Sequence, residues 1–405
     1  MNRFSLLLYF SFAFLLSGVD GSTPAQVNNL ISTLLQGYDK RTRPITDQDK
    51  AVKVDISFYL SIVNDIDEVA EKFVTTGWLH LSWTDQNLVW DSTTNNIYSI
   101  HLNQNDIWKP DVVLKNGFTK FKEMGGSFYY IPIDPSGFVS WFPYEVFETR
   151  CSIDITHFPY DKQTCQIVFV VWSYSVSQVE IVNTLSGVDF YEYEENSVWT
   201  ILDTDSYVNK DKYESEIIFK IELQRKPKYF VMNIILPVLC LSLLSLLVFL
   251  IPVDAGEKMG YSITVFLSFA VFLSIISAEL PVNSESTSTL SFYLVLQMGV
   301  GTLVLVISAI QLRLHHRKTT ADMSQIFRKM VKLERCLRCK SGCCLSKKVQ
   351  VRAIEKNEIE EQEIHTDDDI EWTDVTSAID FFGFWLFFIF NIVVTSYLFI
   401  SIISS

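Results

Sequence analysis

Seven positions spaced three and four residues apart, Glu257, Gly260, Thr264, Leu267, Val271, Ser274 and Ala278, mark one stripe along an apolar stretch. At about 100° per residue they stay within roughly a 100° arc of a helix. The stripe runs from charged, through small and polar, to apolar. Such a stripe can line a water path. A ring of carboxylates at Glu257 would favour cations, and an apolar middle at Leu267 and Val271 can close by dewetting. Glu279 offers a second acidic ring at the far end. Any apolar helix carries some stripe; the flanking acids add to the reading of this one as a water path without deciding it.

Other chemistries find little support. The chain has 405 residues, with 33 Lys and Arg against 47 Asp and Glu. A net charge of −14 argues against a nucleic-acid binder, which would carry a basic footprint. The 14% aromatic content, with only 11 Pro and 15 Gly, excludes low-complexity disorder. No HExxH, GxSxG or phosphate-loop string occurs. No enzyme, cofactor or metal site is expected.

The stripe needs a membrane setting, and the apolar residues supply one. Four stretches are long enough to cross a bilayer: Tyr229 to Ile251, Met259 to Leu280, Phe292 to Leu312 and Ile379 to Ile403. A shorter one, Phe4 to Leu16, follows Arg3 and leads into small residues, as a cleaved secretory signal does. The expected organisation is a signal over 1–21, an extracellular domain over 22–226 and three membrane helices over 227–312. The pore helix lies at about 257–280. A cytoplasmic loop with an amphipathic helix follows over 313–378, then a fourth helix and short extracellular C-terminus over 379–405. From Arg313 to Arg352 there are 12 Lys and Arg against Asp322 and Glu334, the positive-inside signature. Residues 22–226 hold 29 acids and 17 bases, so the outer face would concentrate cations.

Cysteines follow the same division. Cys151 and Cys165 alone lie in the outer segment and can pair in the secretory pathway. Cys336, Cys339, Cys343 and Cys344 lie in the cytoplasmic stretch. Their spacing is near that of a metal site. Basic juxtamembrane cysteines suit S-palmitoylation better than zinc, and reduced, unmodified thiols remain the commonest outcome.

The outer segment alternates short β-rich runs with turns, among them Val52 to Val63, Val74 to Trp83, Gln166 to Trp172 and Ile217 to Leu223. Only Pro24 to Gln36 reads as an amphipathic helix. The expected fold is an all-β, immunoglobulin-like sandwich with an N-terminal helix, joined to a four-helix α transmembrane bundle.

CSIDITHFPYDKQTC, from Cys151 to Cys165, places thirteen residues between two cysteines. It resembles the signature loop of pentameric Cys-loop ligand-gated ion channels. Four further strings are most similar to the nicotinic acetylcholine receptor branch. They are WLHLSWTDQNLVW from Trp78, DIWKPDVVL from Asp106, QRKPKYFVMNIILP entering the first span and GEKMGYSITVFLSFAVF beginning the next. The resemblance covers nearly all of the chain beyond the signal, apart from the cytoplasmic stretch.

The resemblance implies an aromatic cage for cationic amines between adjacent subunits, since a π face attracts ammonium. The principal face would use Trp172, with Tyr207 and Tyr213 on a later hairpin. The complementary face would use Trp78, with Trp141 and Phe142 nearby. Two departures stand out. The hairpin YVNKDKY lacks the adjacent cysteine pair of nicotinic principal subunits, and Lys115 stands where those subunits place a cage tyrosine. Lys115 therefore points away, pairs with an acid, or meets a ligand carboxylate, as in a bulky zwitterion. Anion-selective relatives carry a Pro-Ala insertion that DAGEK lacks, and Gly260 replaces the usual Ser or Thr.

Coupling would join Glu68 and Asp161 to Arg225, with Phe158 and Pro159 pressing on the turn near Pro281 to Ser284. Plain structural stapling is the alternative. The expectation is a subunit of a homo- or hetero-pentameric cation channel in the plasma membrane, in contact with membrane lipid, permeant cations and an extracellular amine or zwitterion. An accessory subunit that works only in a heteromer is the second reading.

Overall fold

The computed structural model describes residues 22–253, 257–279, 287–317, 323–338 and 370–403. The signal, the turn near Pro281 to Ser284, and Cys339, Cys343 and Cys344 lie outside them. The chain divides into two compact units. One runs to Ile153 and adds Lys162–Gln224; the other holds Asp154–Asp161 and the chain from Arg225 onward.

The first unit opens with α1 (Pro24–Leu35). Thr23 caps it, Gln26 reaches back to complete a capping box, and Pro24 sits at the first turn, where its missing N–H costs nothing. Eleven strands follow. One sheet holds β1 (Val52–Asp67), β2 (Lys72–Thr84), β3 (Ile100–Asn103), β5 (Tyr130–Ile133), β6 (Phe138–Trp141) and β9 (Val179–Val182). It runs in the order β3-β5-β6-β2-β1-β9, and β7 (Tyr144–Arg150) also pairs with β2. The second sheet is β10-β11-β8-β4, built from β10 (Trp199–Lys210), β11 (Ser215–Arg225), β8 (Lys162–Val171) and β4 (Val112–Leu114).

Inward-facing phenylalanines from both sheets make the core. Phe58 of β1 meets Phe147 edge-on at 5.6 Å and Phe219 at 5.6 Å, and Phe147 meets Phe169 edge-on at 5.2 Å. Edge-to-face contact suits ring quadrupoles and adds to area burial. A disulfide joins Cys151, just past β7, to Cys165 on β8, with Cα atoms 5.1 Å apart.

Among the described residues, the second unit contains four helices long and apolar enough to cross a membrane: α2 (Lys228–Leu250), α3 (Lys258–Glu279), α4 (Thr289–His315) and α6 (Trp372–Ile403). In α2 a wide turn over Val231–Ile235 precedes Pro237. Proline cannot donate to the carbonyl four residues back, and a wider turn absorbs that loss. Phe249 of α2 stacks on Phe387 of α6 at 5.5 Å. Gly383 allows this approach, because a Cβ there would fall 2.6 Å from the Phe249 ring.

The fourth helix begins at Trp372, not at Ile379 where the apolar run begins. Its first turns are amphipathic rather than wholly apolar. Their apolar side, Trp372, Val375 and Ala378, packs with Val331 of the short helix α5 (Gln325–Leu337). Partner packing, not hydropathy, sets that boundary.

Candidate functional site

On α3 the stripe separates by burial. Glu257, Gly260, Thr264, Leu267, Val271 and Ser274 are exposed, Leu267 at 59% and Val271 at 54%. Lys258, Ser262, Val265, Phe269 and Ile276 are buried against neighbouring helices. Ile263, Ser268, Ile275 and Ser277 are exposed as well, so the open surface is wider than one stripe. The side chains of Ala278 and Glu279 lie outside the described residues. Thr264 donates its hydroxyl to the Gly260 carbonyl at 2.9 Å. At Gly260 an added Cβ would meet nothing within 4 Å among the described residues.

The buried side of α3 holds a group that sequence reasoning missed. Lys258 forms a buried ion pair with Asp380 of α6, and Gln311 of α4 donates to the same carboxylate at 2.9 Å. The signal was present: Asp380 is an acid inside an apolar run, and ionisable residues there need a named partner.

In the first unit, Trp172 follows β8 directly and is 57% exposed. Asp111 holds it, accepting from the Trp172 N–H at 3.3 Å through its carbonyl and from the Ser173 N–H at 2.6 Å through its carboxylate. Phe121 meets the Trp172 ring edge-on at 4.5 Å. Tyr207 on β10 and Tyr213 in the β10–β11 turn are both exposed.

Lys115 pairs with acids, the second of the three alternatives. Its ammonium lies 2.6 Å from Glu214 and 2.7 Å from Glu216. The hydrogen bonds to Glu214 and then Glu216 raise its pKa, so it stays charged. The like-charge objection to a cationic ligand is thereby answered, because two carboxylates screen one ammonium.

The proposed complementary residues do not behave alike. Trp78 stacks between Tyr59, at 5.3 Å, and Tyr144, at 6.3 Å. Phe142 is exposed and stacks on His80 at 4.6 Å. Trp141 is a correction: it is only 2% exposed, and its indole N–H donates to Gln104 at 3.1 Å. Successive strand residues face opposite ways, so when Phe142 points out Trp141 points in. Tyr59 and Tyr144 were missed because their strand partners were unknown; Tyr59 sits directly opposite Trp78 in the β1–β2 register.

In the second unit, Asp161 accepts from Arg225 through two oxygens, and Phe158 packs beneath the guanidinium. Thr156 accepts from the backbone of Thr289, where α4 begins, at 3.1 Å. Glu68 belongs to the first unit, on the β1–β2 turn.

The neurotransmitter-gated ion-channel ligand binding domain matches residues 27–227, and the neurotransmitter-gated ion-channel transmembrane region matches residues 234–341. The chain belongs to this family. It is a nicotinic-like Cys-loop receptor subunit, and the family is one of channels, not of enzymes. The neuronal acetylcholine receptor subunit alpha-6 of Rattus norvegicus is 32% identical over 71% of this chain and 60% of its own length. The human alpha-4 subunit is 33% identical over 71% of this chain and 47% of its own length. The chain thus spans about half the length of the curated relatives it matches. Plasma-membrane placement, with the ligand-binding domain outside, fits the family and the four helices.

Proposed function

We propose that this subunit forms part of a pentameric cation channel opened by a small extracellular amine bound between adjacent subunits. The observation that carries the reading is the division of α3, where Leu267 and Val271 are exposed while Val265 and Phe269 are buried. Apolar side chains left open on a helix whose other side is packed suit a constriction formed with further copies. Glu257 would supply the cation-selective ring. Trp172, Tyr207 and Tyr213 would form the principal face, with Trp78 and Phe142 across the interface. Ligand would draw in the β10–β11 hairpin, and motion through Glu68, Asp161 and Arg225 would retract Leu267 and Val271. The Lys115 pairing favours an amine over the zwitterion, since that ammonium already has its anions.

Leu267→Thr expressed alone in oocytes tests the pore without a ligand. A polar constriction should wet and pass a standing current whose reversal potential follows external sodium. A current that follows chloride would overturn the role of Glu257. An accessory subunit is the second reading, favoured by the missing cysteine pair in YVNKDKY. Surface protein with no current would support it.

A further inference from the structure

The hairpin beside Trp172 is built around carboxylates as much as rings. Two acids, Glu214 and Glu216, share one base, Lys115, and leave one negative charge in excess. The hairpin's other lysines are engaged elsewhere: Lys210 meets Glu180 at 2.6 Å, and Lys212 lies over the Tyr213 ring at 5.6 Å.

Strand register brings this cluster to the face of Trp172. Glu216 and Val113 both pair with Val170. The Lys115 N–H donates to the Val168 carbonyl at 2.7 Å. Directly paired side chains share a face, and faces repeat every second residue. Lys115, Glu216 and Trp172 therefore project to the side of Val168 and Val170.

Lys115 ends in a primary ammonium, and it shows what these carboxylates hold. Both contacts have the short length of charge-assisted N–H donation to a carboxylate. A quaternary ammonium has no N–H and depends on π faces. Here the position of one cage tyrosine is taken by Lys115. A ligand with N–H donors can repeat the contact that Lys115 makes.

Of the two acids, Glu214 is the one a ligand can take. Its side chain is 48% exposed against 15% for Glu216. Glu216 is also held by Asn209 at 2.8 Å. An exposed ion pair is weak and easily exchanged.

We infer that this site selects a protonated primary or secondary amine over a quaternary ammonium, with Glu214 passing from Lys115 to the ligand while Lys115 keeps Glu216. The inference rests on the reading of Trp172 and this hairpin as the ligand site. It makes Lys115 and Glu214 the residues that set ligand class.

The test uses the full chain, purified in detergent, and two matched probes, propylammonium and propyltrimethylammonium. Binding is read by calorimetry at concentrations up to about 10 mM, the range of weak fragment binding. Propylammonium should bind at least about tenfold more tightly. Glu214→Gln should remove most of that preference by weakening propylammonium alone. Lys115→Met, which frees the carboxylates, should tighten propylammonium more than its trimethyl counterpart. Lys115→Tyr, which restores a π face, should favour the trimethyl ion. Binding that depends on Trp172 but favours the trimethyl ion, or is blind to Glu214→Gln, overturns the inference and leaves the aromatic site standing. Binding unchanged by Trp172→Ala overturns the site itself. Absence of binding by both probes overturns the amine class.

Discussion

Arg225 and Asp161 form a buried, two-point ion pair, with contacts of 2.8 and 3.1 Å and side chains 3% and 1% exposed. The guanidinium also faces the rings of Phe158 and Phe230, at 5.0 and 5.4 Å. The planar fork suits both contacts at once, which an ammonium cannot reproduce. The pair ties the tip of the Cys151–Cys165 loop to the chain just ahead of α2.

Asp161→Asn should therefore take a two-point carboxylate contact away from a buried guanidinium. Breaking such a pair from one side costs about 3–5 kcal/mol. Surface labelling should fall sharply, and Arg225→Lys on its own, which keeps the charge but loses the planar fork, should lower it less. Normal surface level and normal response in Asp161→Asn would reduce the pair to a passive staple.

Lys258 and Asp380 make a second prediction, inside the membrane unit. Asp380→Ala strands a buried ammonium and should cost about 3–5 kcal/mol. Lys258→Met with Asp380→Leu removes both charges and should recover most of the loss. Thermal melting of the two variants in detergent separates these outcomes. Equal melting of single and double variants would mean that the pair contributes little.

The disulfide closes a loop with a sequence separation of 14. Loop-closure entropy for that length gives about 3 kcal/mol. Cys151→Ser should thus lower surface expression strongly, and Cys151→Ser with Cys165→Ser should do no worse than the single change. The readout is surface labelling against total protein.

The Lys115 cluster has a defined pH window. The Lys115 pKa is raised above its ordinary 10.5 by Glu214 and Glu216, so its contribution is full below 10.5 and is lost as pH rises through the folded value. For Glu216, burial opposes the charge, but Lys115 and Asn209 win and the pKa is lowered below 4.5. That contribution is full above 4.5 and lost as pH falls through the folded value. The melting difference between the natural chain and Lys115→Met should be flat from about pH 6 to pH 9. A slope within that range would point to another titrating group.

Much of this protein was legible in its sequence, for physical reasons. Membrane spans announce themselves because hydrocarbon demands long apolar runs with internal hydrogen bonding. The spacing of the α3 stripe follows from helix geometry alone; the positions from Glu257 to Ser274 are exposed, as are Ile263, Ser268, Ile275 and Ser277 beside them. The β-runs at Val52, Val74 and Ile217 follow from side-chain alternation. What only the tertiary structure decided are contacts between residues far apart in the chain. Lys115 meets Glu214 and Glu216 about a hundred residues away, and this turned three alternatives into one. Trp141 and Phe142 are neighbours in sequence, yet strand register buries one and exposes the other. Asp380 reads as an acid out of place until the bundle brings Lys258 and Gln311 to it. Periodicity encodes which side of an element is apolar; it does not encode which charge that side will meet.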